Sequence, residues 1–156
     1  MTENMKALAV QFQNIKKNPN VKVYFVDAKK DPTHWHVSYR GPEGSDFEKG
    51  IYHFSLKLHE YPKNGPVTAA LNENGAYNVG DEICLVGITH YHTEAWSPGT
   101  TIDAVITALQ CYMVATDRSG YGFISPLDKV RIKAGAEKSK SFVCPICKAD
   151  HSKDFK

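Results

Sequence analysis

A chain of 156 residues with 42% hydrophobic and 23% charged side chains has the size and make-up of one soluble globular domain. No window approaches the roughly 18 consecutive apolar residues of a membrane span, and the polar N-terminus lacks the apolar core of a secretory signal. The net charge of +2 hides basic ends around an acidic middle, with eight basic against three acidic residues over 129–156, but no basic stretch is interleaved with aromatics as nucleic-acid binding favours.

In chain order, residues 3–17 place Met5, Leu8, Phe12 and Ile15 on one face of a helix. Asn18-Pro19 stops it, because proline disfavours helical geometry in the residue before it. Four strand-like runs follow, at 21–27, 34–41, 50–58 and 65–71. The third alternates, with Ile51, His53, Ser55 and Lys57 on one face and Tyr52, Phe54, Leu56 and Leu58 on the other. The turn residues "GPEGS" and "KNGP" fit short antiparallel connections, so a meander of about four strands is expected.

From Leu71 to Thr100 there is no periodic segment, yet cysteine, tryptophan, histidines and tyrosines are embedded there. Ordered loops of that length are usually functional. A second helix is expected over 101–113, capped by Thr100 with Asp103 three residues on, and Cys111 within its apolar run reads as core. A third is expected to start at Ser125-Pro126 and to run toward Ser141, with Gly135 weakening it. The ending "FVCPICKADHSKDFK" reads as a separate short element. The chain thus divides into residues 1–130 and a C-terminal helix with a basic tail over 131–156, in an α+β fold.

Four cysteines, at 84, 111, 144 and 147, are too few for a disulfide-stapled scaffold and point to a reducing compartment, cytoplasm or nucleus. Cys84, taken alone, is either a buried strand-end thiol or a displayed nucleophile. Asn74-Gly75 is a strong tight-turn signal. His90, His92 and Glu94 follow Cys84 within ten residues, and a histidine there can take a proton near neutrality. Cys144-Pro-Ile-Cys147 with His151 has zinc-ligand spacing, but a structural zinc wants four ligands. That leaves a zinc site or a packed, reduced thiol pair. No Gly-rich phosphate loop is present.

The order helix, four-strand meander, long cysteine-bearing loop, helix resembles the ubiquitin-conjugating fold. Trp35, Val37, Tyr39, Gly41, Pro42, Gly50, Tyr61 and Pro62 resemble that family's W-x-V-x-I-x-GP…YP signature. "EICLVG" resembles its I-C-L motif, and "WSP" at 96–98 its W-[SN]-P. Within the family the chain is most similar to the J subfamily, known for endoplasmic-reticulum-associated degradation. There T-P-N-G-R-F stands where "NENGAY" stands here, again with the cysteine ten residues after the asparagine. "ITHYHTEAW" and "AEKSKSFVCPIC" are similar to two further J-type stretches. The departures are Glu73 for the usual proline, Lys63 and Gly65 in the ligase-facing loop, and Gly99 after "WSP".

The resemblance implies that Cys84 accepts ubiquitin from an activating enzyme as a thioester. It then passes ubiquitin to a substrate lysine, or a Ser/Thr hydroxyl, usually with a RING-type or other ligase. Asn74 would serve the oxyanion or shape the loop, and Asp117 would orient the acceptor lysine; the family does not generally need a dedicated base, so His90 stands as a catalytic candidate on its own chemistry only. No cofactor is required, zinc at Cys144, Cys147 and His151 aside. J-type relatives usually end in a membrane anchor and this sequence stops before one, so the resemblance implies either a soluble relative or, where an anchor has been removed, the cytosolic face of the endoplasmic reticulum. The alternatives are a non-catalytic ubiquitin-binding scaffold, against which Cys84 argues, and a conjugating enzyme for another ubiquitin-like modifier.

Overall fold

The computed structural model describes residues 2–155. Helix α1 (Glu3–Ile15) is capped by Thr2, whose hydroxyl accepts from the Met5 amide. Strands β1 (Val21–Asp27), β2 (Asp31–Arg40), β3 (Ile51–Lys57) and β4 (Val67–Ala70) form one antiparallel sheet in sequential order. The expected meander is there, with the second strand three residues longer at its start and the fourth shortened to four residues.

The register sets two faces. Trp35 lies opposite Leu56, Val37 opposite Phe54 and Tyr39 opposite Tyr52. Side chains alternate along a strand, so these six share the inner face. Leu8 and Ile15 of α1 pack against them, with Ile102, Val105, Ile106, Leu109 and Met113 of α2 (Ile102–Met113). The cap of α2 is Thr101, which accepts from the Ala104 amide, one residue later than the Thr100–Asp103 pattern suggests. Cys111 is exposed, which corrects its reading as core. It falls outside the buried stripe made by Ile102, Val105, Ile106, Leu109 and Met113.

Helix α3 runs Lys129–Ser139, not from Ser125, because the Asp128 carboxylate caps it by accepting from Val130 and Arg131. Gly135 is accommodated because this buried turn packs against the backbone of Glu73 and Asn74. The tail forms a short element of its own that folds back onto the sheet. An isolated bridge pairs Val143 with Asp150, and the short helix α4 (His151–Asp154) follows. Together they cover the outer face of β2 and β3, so Ile51 through Leu56 is buried on both faces. The Ser139 hydroxyl accepts from the Ile51 amide, and the Tyr24 hydroxyl donates to the Asp154 carboxylate at 2.7 Å.

Candidate functional site

Cys84 sits just after the bridge that pairs Glu82 with Ala69 of β4. Three consecutive amides around it are held by three different segments. Ile83 N–H donates to Thr68 O at 2.8 Å, Cys84 N–H to Tyr121 O at 2.8 Å and Leu85 N–H to the Thr89 hydroxyl at 3.0 Å. Ile83 and Leu85 are buried, while Cys84 is half-buried. A backbone fixed at three successive points presents the thiol in one position, with its flanks anchored in the core.

The loop that reaches Cys84 also binds the segment after Asn74. Ile124 N–H donates to Ala76 O and Asn78 N–H to Gly122 O, so residues 120–124 lie between the Asn74 turn and the cysteine segment. Asn74 is 1% exposed. Its Oδ1 accepts from the Ala76 and Tyr77 amides at 2.8 and 2.6 Å, and its Nδ2 donates to Asn72 O. The turn needs glycine next, since Gly75 has φ +85° and an added Cβ would meet Ile132 Cγ1 at 2.8 Å.

The sequence matches the family model described as "Ubiquitin-conjugating enzyme" over residues 6–142. The chain belongs to the ubiquitin-conjugating enzyme family. Among curated relatives it is 34% identical over 147 residues to human "Ubiquitin-conjugating enzyme E2 J1", covering 84% of this chain and 46% of that protein. It is 30% identical over 138 residues to "Ubiquitin-conjugating enzyme E2 6" of Kluyveromyces lactis, covering 88% and 54%. It is thus a J-type member, and it spans about half the length of these relatives. Among solved structures, "Crystal structure of a putative ubiquitin conjugating enzyme from Plasmodium yoelii" aligns with a TM-score of 0.66 at 17% identity, covering 91% of this chain and 96% of that one. "Novel Ubiquitin-Conjugating Enzyme" aligns with a TM-score of 0.59 at 20% identity, covering 70% and 72%. These two support the α+β ubiquitin-conjugating fold.

In this family member the other expected site residues fall as follows. His90 packs on Tyr91, with ring centroids 4.3 Å apart, and its Nε2 lies 3.3 Å from the Glu82 carboxylate. Its Nδ1 is buried with no hydrogen-bond partner among the described residues, so neither nitrogen is displayed as a free base. His92 pairs with Glu94 at 3.2 Å on the surface. Asp117 is exposed in the loop after α2, its carboxylate accepting from the Ser119 amide. Trp96 closes the long loop by donating Nε1–H to Pro62 O at 2.8 Å.

Three side chains on the loops that flank Cys84 escaped the sequence reading. Tyr91 and Tyr121 are exposed with ring centroids 6.2 Å apart. Loss of hydration, then the Glu82 carboxylate, the Tyr121 phenol and Cys84, push the Tyr91 phenol up. Arg118 is buried beneath the loop and donates to the carbonyls of Tyr112, Met113, Ala115, Ile124 and Ala76. An arginine one residue after an acid carries no signal for that role.

The tail thiols meet partners that spacing does not show. Cys144 and Cys147 lie against His36 of β2 and His53 of β3. His151, expected as the third metal candidate, faces away from this group. Its Nδ1 is 2.7 Å from Ser139 O and its Nε2 2.7 Å from the Ser38 hydroxyl, so both ring nitrogens are taken. Burial pushes His53 down to about 3 and His36 down to about 4, and pushes the Cys147 thiol up to about 12.

Proposed function

We propose that this chain is a ubiquitin-conjugating catalytic domain in which Cys84 carries ubiquitin as a thioester. The observation that carries the reading is the half-buried Cys84 thiol on a backbone pinned at three consecutive amides, at the family's cysteine motif. The thiolate attacks the activated C-terminal carbonyl of ubiquitin, the activating enzyme's thiolate leaves, and a new thioester forms on Sγ. An acceptor amine, or a Ser/Thr hydroxyl, then attacks that carbonyl and Sγ leaves as thiolate.

Asn74 shapes the neighbouring loop through Oδ1, and its second Nδ2 hydrogen is the donor left for the oxyanion formed on amine attack. Asp117, exposed on the loop that binds Cys84, orients the incoming lysine. His90 serves loop structure first, since Glu82 and Tyr91 hold its ring. A ligase docks at the 61–67 loop, where Lys63 and Gly65 alter the usual surface. The J-type resemblance supports work beside the endoplasmic reticulum, and no helix among the described residues is long and apolar enough to cross a membrane.

The test is charging with activating enzyme, ATP and ubiquitin. Wild type is expected to form a reductant-sensitive adduct, Cys84→Ser a reductant-resistant ester and Cys84→Ala none. Cys111→Ser is expected to charge like wild type, although Cys111 is the more exposed thiol. An adduct that survives in Cys84→Ala, or none on folded wild type with ubiquitin, sinks the assignment. In the second case other ubiquitin-like modifiers are tried next.

A further inference from the structure

We propose that His36, His53, Cys144 and Cys147 form a structural zinc site that clasps the C-terminal tail to the outer face of the sheet. The inference stands independently of the conjugating reaction on Cys84. Each of the four offers one ligand atom, and all four atoms lie within 4.8 Å of one another. His36, His53 and Cys144 are at most 1% exposed, so this is a built interior site.

Three of the six separations match a tetrahedron's edges, and all six lie within 4.8 Å. Zinc bonds of about 2.3 Å to sulfur and about 2.0–2.1 Å to nitrogen give N···N edges near 3.3 Å and S···N edges near 3.6 Å. The structure has His36 Nδ1 to His53 Nε2 at 3.1 Å, Cys144 Sγ to His36 Nδ1 at 3.6 Å and Cys147 Sγ to His53 Nε2 at 3.3 Å. Tetrahedral S2N2 donor sets of thiolate and imidazole select zinc, with iron–sulfur chemistry as the other common occupant.

A chain of hydrogen bonds sets the tautomer of one ligand. His151 Nδ1–H donates to Ser139 O at 2.7 Å, so His151 Nε2 must accept. The Ser38 hydroxyl, 2.7 Å away, donates its one hydrogen there. Ser38 Oγ therefore accepts from His53 Nδ1–H at 2.7 Å. The His53 lone pair is left on Nε2, the atom that faces the cluster. His151 is thus a positioning residue one step behind the ligand, the arrangement that commonly orients metal-bound histidines.

The tail is shaped for the same purpose. Cys147 N–H points at Cys144 Sγ at 3.5 Å, and Lys148 N–H donates to Cys144 O at 3.0 Å. Lys148 adopts φ +67° to turn the chain back, a conformation uncommon for a residue with a side chain. The register that puts Ser38 opposite His53 and His36 opposite Ser55 makes the two histidines diagonal neighbours on this face.

On binding, two Zn–S and two Zn–N bonds form and each thiol gives up its proton, two in all. The His36 proton resides on Nε2. Two thiolates neutralise the dication, which removes the penalty for burying an unpaired charge.

The chain, purified without a histidine tag, is expected to hold about one zinc by mass spectrometry of the acid-released metal. Cobalt exchanged into wild type is expected to show sulfur-to-metal charge-transfer and tetrahedral ligand-field bands. Cys144→Ser and His53→Ala are expected to lose the metal. His151→Gln is expected to keep stoichiometry with affinity weakened roughly 10–100-fold. The proposal is overturned by reduced wild type that takes up neither zinc nor cobalt, by an iron–sulfur spectrum, or by a Cys144–Cys147 disulfide in protein handled under reducing conditions. It is equally overturned if His151→Gln abolishes binding while folded His53→Ala retains it. The two wild-type measurements do not depend on any variant folding.

Discussion

Arg118 shows how one buried cation can organise a candidate active site. At 7% exposed it faces five backbone carbonyls, and no carboxylate pairs with it among the described residues. Burial lowers its pKa, but the planar fork with five donors matches a ring of carbonyls that a point ammonium cannot span. Arg118→Met, which keeps the apolar stem, is expected to destabilise the fold by about 2–4 kcal/mol, because several carbonyls lose charge-assisted bonds together. Arg118→Lys should recover less than half of that. Urea denaturation checks both, and a midpoint unchanged from wild type in Arg118→Met removes the role.

At the scale of elements, the decisive piece is the loop from Ala115 to Ile124. It takes the Cys84 amide at Tyr121 and bridges Tyr77 at Phe123. Its close approach depends on Gly120, where an added Cβ would lie 2.4 Å from Phe123 Cε2 and 2.6 Å from Cys84 O. A backbone oxygen cannot step aside alone, so Gly120→Ala must displace the cysteine segment. The expectation is a loss of about 1–3 kcal/mol with slower thioester formation, read by thermal melting and a charging time course. Wild-type charging rates in the alanine variant would show that the segment tolerates the shift. The start of α3 differs from the local signal for an allied reason. Ser125-Pro126 and Asp128 are both good start signals, and only the path of the preceding loop decides between them.

Over the whole molecule, the sheet is covered on both sides. Helices α1 and α2 take the apolar face; Phe142, Cys144, Ala149 and His151 cover the histidine-bearing one. A chain ending at Ser141 loses the Ser38–His151 and Tyr24–Asp154 hydrogen bonds and opens His36 and His53 to water. Each lost bond contributes about 1 kcal/mol, and at this size about 1 kcal/mol moves the melting temperature by roughly 2–4 °C. The shortened chain, which also lacks the Cys144 and Cys147 ligands of the zinc site inferred above, is therefore expected to melt at least several degrees lower and to lose hydrogen-exchange protection in β2 and β3. Unchanged melting would mean that the tail rests on the sheet without supporting it.

Local pattern by itself determined α1, the four strands, α2 and the segment that carries Cys84. Spacing along a strand or helix is a short-range property, and Trp35, Val37 and Tyr39 declare a core face wherever they are placed. Family resemblance then supplied the roles proposed for Cys84 and Asn74, which composition and period left open between turn, core and nucleophile. Only the tertiary structure decided what meets across long separations. Cys111 turned outward because helical phase against the sheet, not apolar neighbours, sets burial. Arg118 found Ala76 forty-two residues away. His53 and Cys147, ninety-four residues apart, met because strand register fixed one and the returning tail carried the other, and no spacing rule reads a contact made by folding two distant segments onto one face.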